Sequence, residues 1–461
     1  MHANEILDVR RFMDSRPVSR FQKLVVFLGF LIIALDGFDV AIMGFIAPQL
    51  RAEWGMAHTA LGPVLSAALF GLAIGAMVSG PVADRYGRKL VLVYSVLFFG
   101  LWTLAMAAFA HSVQEIVIYR FLTGIGLGAA MPNAATLVSE YSPARSRSFL
   151  ITVAFCGFTF GAAGGGFLSA WMIPALGWRS VIWLGGIMPL VLAPVLLSRL
   201  PESVGYLLAR RAAPQRVRAI LSRMAPGAIS ERTTFVLPPV SSQSSARIVL
   251  SGPYRFGTLM LWTGYFMVLF LIYLFSGWLP TLVKEGGGYG MAQAAVVAAL
   301  FQIGGTAGSL VLGWVMDRWN AHRVLAITFA TGAGLTFAIG MATRHFALTG
   351  AIAFGIGFCM NGGSVGMNAL SALFYPTEAR ATGSSWMSGV GRLGAILSAF
   401  AGAQMLSTGW TFMEMFAALA VPGLLSAAAV FAKGQAQARG DAALPRQGSP
   451  VAGQEPRTFA Q

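Results

Sequence analysis

Charge is what this sequence has least of. Asp, Glu, Lys and Arg together make up 11% of its 461 residues, whereas a soluble domain carries about a quarter. A water-facing surface of ordinary extent is excluded. Cysteine is nearly absent. Cys156 and Cys359 both sit in apolar stretches, so no disulfide framework is implied. The five histidines show no metal-ligand spacing with the cysteines. Neither a phosphate-cradling glycine loop nor a nucleophile elbow is found, so enzyme chemistry of those kinds is not expected. Bases outnumber acids, 32 to 17. They are spread over loops between apolar runs rather than gathered in one patch, which argues against a nucleic-acid partner.

What the chain does have is apolar length. Apolar residues make up 56% of it, and 55 glycines suit close packing of helices in lipid. Runs near the twenty-residue span of a bilayer fall at 24–48, 59–83, 90–110, 114–138, 148–172, 178–199, 256–280, 290–315, 323–342, 346–373, 383–407 and 410–432. The expected architecture is an all-α membrane protein of twelve transmembrane helices. Lys and Arg concentrate in the tails and in alternate loops, so the positive-inside rule puts both termini in the cytoplasm. The first apolar run is full length and follows a polar segment, so no cleavable signal is expected. Residues 1–23 read as a cytoplasmic tail, 24–200 as one six-helix half and 201–255 as a mobile cytoplasmic loop. Residues 256–432 read as the second half and 433–461 as a disordered tail.

The two halves repeat. "GPVADRYGRK" (80–89) is answered by "GWVMDRWNAHR" (313–323), with Gly80, Asp84 and Arg85 matching Gly313, Asp317 and Arg318, each 233 positions on. "EYSPARSR" (140–147) is answered by "FYPTEARATG" (374–383) at nearly the same interval. Both copies fall on one predicted side, so the halves are parallel and related by a pseudo-two-fold axis along the membrane normal.

These segments carry a resemblance. "GPVADRYGRK" is similar to the cytoplasmic loop signature of the major facilitator superfamily, "YRFLTGIGLGAA" (119–130) to its fourth-helix motif, and "GFTFGAAGGG" (157–166) to its glycine-rich fifth helix. "LPESVGYL" (200–207) resembles the segment that closes the first half. More narrowly, "LDGFDVAIMGFIAP", "FQIGGTAGSLVLGWVMDRWNAHRV", "FYPTEARATGSSW" and "GVGRLGAI" resemble the aromatic acid:proton symporters of the 4-hydroxybenzoate/protocatechuate permease branch. The resemblance runs over nearly the whole chain and is weakest in the central loop and tails. It implies the major facilitator fold and proton-coupled import of an aromatic carboxylate by alternating access. It implies no cofactor beyond the proton gradient, an inner-membrane location and a monomer.

Asp36 and Asp39, three residues apart, share one face of the first span. Each costs a few kcal/mol in lipid unless paired, hydrated or protonated. One reading is local: an Asp-Gly pair breaks the helix and the carboxylates satisfy freed backbone donors. The other is a proton-coupling or substrate-orienting site in a wet cavity, where two interacting acids titrate as one system. The corresponding helix of the second half, 256–280, holds no acid. The pair is therefore not a scaffold requirement, and the resemblance implies the second reading.

Arg120 and Arg392 fall within spans, where a guanidinium needs an anion. Arg120 reads equally as a structural partner of an acid or as a functional group. Arg392, among small residues, reads as a two-point grip on a substrate carboxylate or as a brace between helices. Asn361 and Asn368 offer amides in mid-span, and Tyr265 and Phe266 offer flat partners for an aromatic ring. Gly80, Asp84, Arg85, Gly87 and Arg88 read as a gate latching one half to the other. Glu140 and Arg145 are its neighbours in the first half, and Glu378 and Arg380 in the second. Asp317, Arg318 and His322 form the second copy. It has Asn320 in place of Gly87, which weakens the case for an equal gating role. Other readings within reach of the sequence are an exporter on the same fold and a membrane receptor for aromatic acids. The central loop and tail are too short and polar for a signalling domain.

Overall fold

The computed structural model describes residues 6–210, 213–225, 233–236, 246–342, 345–375 and 379–443. Among them are twelve helices long and apolar enough to cross a membrane. In chain order these are α1 (Arg20–Trp54), α2 (His58–Tyr86), α3 (Arg88–Phe109), α4 (Val113–Tyr141), α5 (Arg147–Leu176), α6 (Trp178–Arg199), α7 (Gly252–Glu285), α8 (Met291–Met316), α9 (Ala321–Ile339), α10 (Phe346–Phe374), α11 (Arg380–Ser407) and α12 (Phe412–Ala443). Each matches one expected span. Most run a few residues longer, because polar ends extend the helix beyond the apolar stretch until a cap stops it. A Ser19 capping box starts α1, and Gly55, with φ of +61°, ends it. Twelve alternating spans bring the described parts of the 200–251 connection, the segment before α1 and the end of α12 to one end of the bundle, here the basic end. The other is the far end.

The repeat of 233 residues is written into the packing. Gly71 and Gly75 of α2 lie against the backbone of Phe121 and Ile125 in α4, and Gly124 of α4 against Ala68. In the second half Gly304 and Gly308 of α8 lie against Phe354 and Phe358 of α10, and Gly357 against Phe301. Each contact recurs one repeat later, so a missing side chain at the same places lets equivalent helices touch backbone to backbone. One substitution breaks the pattern. Gly128 meets Leu72, but one repeat on Asn361 faces Gly305, whose missing side chain makes room for the amide. Between the halves, α1 packs on α7, α2 on α11 and α5 on α8.

The connections carry more regular structure than the sequence suggests. The described part of 201–255 is built: short helices cover Val204–Ala209, Pro214–Met224 and Ala246–Val249. Pro214–Met224 buries Val217 and Leu221, while Arg223 lies over the Phe21 ring at 4.3 Å. In the N-terminal segment, Ile6–Asp8 pairs in parallel with Thr234–Val236, Leu7 opposite Phe235. Its acidic end, Asp8, caps the helix Val9–Asp14. Finally, α12 passes the expected boundary at 432 and reaches Ala443, since alanine and glutamine after Lys433 favour helix and no proline intervenes. Residues 237–245 and 444–461, expected to be linker and disordered tail, lie outside the described residues.

Candidate transport site between the halves

The two acids of α1 have different surroundings. Asp39 is ion-paired: Arg120 Nη1, reaching across from α4, donates to its Oδ2 at 2.6 Å, and both side chains are 2% exposed. Thr103 of α3 lies 3.5 Å from the other carboxylate oxygen. Arg120 is thus the partner of an acid. Asp36 is as deeply buried, yet both of its oxygens lack a hydrogen-bond partner among the described residues. It sits in the electrostatic field of Asp39, Arg392 and Arg120. Neither carboxylate caps a broken helix, because α1 is continuous through Gly37 and its backbone donors are used within the helix. Gly37 instead lets α1 press on the Phe158 backbone of α5.

Arg392 enters from α11. It is half-buried, and its recorded contact is a long one, 3.5 Å from Nη1 to the Leu72 carbonyl of α2 across the seam. Gly391 and Gly394 beside it let α11 lie on Tyr265 and on the Phe266 backbone of α7. The tyrosine hydroxyl accepts a hydrogen bond from Asn368 Nδ2 at 3.1 Å, linking α7 to α10. Asn361, deeper in α10, leaves Nδ2 buried without a partner among the described residues. Phe266 is partly buried and contributes its backbone to the α11 contact. Tyr273, which the sequence did not single out, shares the field of Asp36 and Arg392. With Arg120, Trp278, Leu69 and Ser398 it lines a central cavity of about 30 Å³. That volume holds roughly two waters, so an organic solute needs the helices to part further.

Around this centre the seam is asymmetric. On its far side, Gly44 of α1 presses on the Ser276 and Gly277 backbone of α7, Gly62 of α2 on Phe400 and Ala403 of α11, and Gly166 of α5 on Ala295 and Ala299 of α8. Nearer mid-span, Thr159 of α5 meets Thr306 of α8 at 2.5 Å. Towards the basic end, Gly80 of α2 and Gly313 of α8 face open space. Among the described residues, the close backbone contacts between the halves lie on the far side, and no ion pair joins the halves at the basic end.

Among the described residues, the expected half-to-half latch is not engaged in this state. Asp84, with a side chain 76% exposed, pairs among the described residues with Arg88, at 3.8 Å. Arg88 instead binds Glu140 at 3.1 Å, and Glu140 accepts from Ser203 at 2.5 Å, all inside the first half. Gly87 has φ of +99° and ends α2 at a turn that a side chain would both strain and drive into Glu202. Arg85 is exposed and offers its carbonyl to Arg210, and Arg145 reaches back to the Arg16 carbonyl of the tail. In the second half Asp317 and Arg318 are exposed, the latter stacked 3.7 Å over Trp314, and Arg380 is exposed. His322 pairs with Lys433 of α12 at 2.9 Å. Glu378 lies outside the described residues. These groups lie at the basic end, and the described contacts among them stay within a half and its flanking segments.

Glu202 and Lys433 had no sequence signal of their own. Glu202 lies in the quoted "LPESVGYL" and receives the Lys89 backbone at 3.1 Å. Lys433 was assigned to a tail, yet it is buried, with its ammonium over the Phe374 ring at 4.1 Å.

Two parallel six-helix halves, closed on each other at one end around buried charges, define a two-half membrane transporter. The chain belongs to the Major Facilitator Superfamily, whose model matches residues 29–343 and 261–458. It is 48% identical to the 4-hydroxybenzoate transporter PcaK of Pseudomonas aeruginosa over 435 residues, 94% of this chain and 97% of that one. It is 47% identical to a gallate transporter of Pseudomonas putida over 440 residues, 95% and 97% of the two chains. Among solved structures it superposes on a D-xylose-proton symporter with TM-score 0.68 at 19% identity, covering 88% of this chain and 96% of that one. At that identity the likeness speaks for the fold.

Proposed function

We propose that this protein imports a hydroxylated benzoate together with protons by alternating access. One observation carries the reading: a buried, unpartnered carboxylate, Asp36, shares a site with a loosely held guanidinium, Arg392. An under-used guanidinium favours a carboxylate ligand, and a proton on Asp36 removes the negative charge that competes with that ligand for Arg392. Protonation of Asp36 and arrival of the cargo anion at Arg392 therefore support each other, which is the coupling a symporter needs. Asp39 and Arg120 form the rigid wall behind them. Tyr265, Tyr273, Asn361 and Asn368 offer ring faces and polar groups for a hydroxylated ring.

The relatives named for 4-hydroxybenzoate and gallate support the cargo class. The excess of basic residues at one end supports a cytoplasmic placement of that end and of both termini in the inner membrane. On that reading the state seen here is open to the cytoplasm, and the charged ring around Asp84 closes when the site turns outward. Uptake of labelled 4-hydroxybenzoate into cells or vesicles, with unlabelled benzoates as competitors, tests the cargo. Accumulation that survives collapse of the pH gradient overturns the proton coupling.

A further inference from the structure

The far end holds a charge cluster outside this site. Glu285 closes α7, and its Oε1 accepts from Arg51 Nε at 3.1 Å and Nη2 at 2.9 Å. Its other oxygen, Oε2, lies 2.8 Å from His58 Nε2. Arg51 belongs to the last turn of α1 and His58 opens α2. One carboxylate of the second half is therefore gripped by both helices that flank a tight turn of the first.

Among the described residues, these are the ion pairs that cross the seam; the other recorded pairs stay within the first half and its tail. The acid nearest in sequence to Arg51 does not compete. Glu53 is taken by Trp178 Nε1 at 2.6 Å and by Arg179 at 3.6 Å, inside its own half. Directly below the cluster lie the tight Gly44 and Gly62 contacts, and below those the central cavity. Parting α1 and α2 from α7 at the far end breaks the cluster.

We propose that Glu285, Arg51 and His58 form the far-end latch of the transport cycle: they hold the state seen here and part when the cavity opens to the other side. The proposal rests on the alternating-access reading. The three side chains are 22–30% exposed, so water weakens each pair. The latch biases the equilibrium on the order of fivefold rather than locking it. A stronger tie would trap the carrier.

The test places one cysteine behind the latch. Ala399→Cys lines the cavity in a background with Cys156→Ala and Cys359→Ala, and intact cells are treated with a membrane-impermeant maleimide. Glu285→Gln is expected to raise the labelling rate several-fold. Glu53→Gln, which breaks a pair at the same end within one half, leaves it unchanged. The charge swap Arg51→Glu with Glu285→Arg returns it towards the starting rate, while either reversal alone does not. Equal labelling with and without Glu285→Gln overturns the latch, as does an equal effect of Glu53→Gln. Uptake in the same cells separates the two proposals: normal uptake with unchanged labelling removes the latch alone. Absence of benzoate uptake removes the cargo assignment and leaves the labelling comparison intact.

Discussion

Asp36 and Asp39 stand three residues apart on one helix, and only Asp39 is paired. Arg120 holds Asp39 at 2.6 Å, while Asp36 has no hydrogen-bond partner among the described residues. A motif that reads as two equal acids holds, among the described residues, one paired carboxylate and one without a hydrogen-bond partner.

Removing one member of the buried pair strands the other. Asp39→Ala or Arg120→Ala is expected to destabilise the folded protein by about 3–5 kcal/mol. The double variant, which leaves no orphan charge, should lose less than the sum of the two. Thermal unfolding of the purified protein in detergent measures the cycle; additive losses would contradict the pairing.

Asp36→Asn removes no ion pair, so the protein should unfold at the same temperature as the parent or higher. Its proton-driven accumulation should disappear while exchange of cargo down its own gradient persists. Accumulation at the parental level in Asp36→Asn vesicles would take this carboxylate out of the coupling step.

Arg392→Lys keeps the charge but loses the flat, two-point donor fork. A charged hydrogen bond contributes about 1.5–3 kcal/mol, so the half-saturating cargo concentration should rise roughly ten- to a hundredfold, with little change in folding. An unchanged value would make Arg392 a brace between α11 and α2, through its Leu72 contact.

Gly161 of α5 presses on the Ala34 backbone of α1, with no space for a side chain. Gly161→Val should push these helices apart and destabilise by at least about 1–3 kcal/mol, visible as a lower yield of folded protein. Gly164, in the same segment but facing open space, should accept alanine. If both positions tolerate substitution equally, the close contact does not matter.

Asp84 is mostly exposed and loosely paired, so Asp84→Asn should change stability by no more than about 0.5 kcal/mol. Slower uptake in that variant would therefore reflect the outward-facing state, in which the basic end must close, and not a folding defect. Uptake rate and unfolding temperature measured on the same preparation separate the two.

The architecture was readable in the linear pattern because lipid imposes simple demands: span length, backbone satisfaction within each helix, and positive charge on one side. Twelve spans and a 233-residue repeat followed from that, and so did the residues out of place in oil, Asp36, Asp39, Arg120 and Arg392. The pattern did not divide their roles. Which acid meets Arg120 depends on how α1 is rotated against α4, a matter of a few ångströms set by packing. The cross-seam grip of Glu285 on Arg51 and His58 joins groups more than 220 positions apart, a distance over which no local rule operates. Composition likewise put Lys433 in a solvated tail, although the fold buries it against His322 and Phe374. The asymmetry of the seam is a property of one conformation. A sequence specifies the helices that move, but only their assembled positions show which end of the seam is shut.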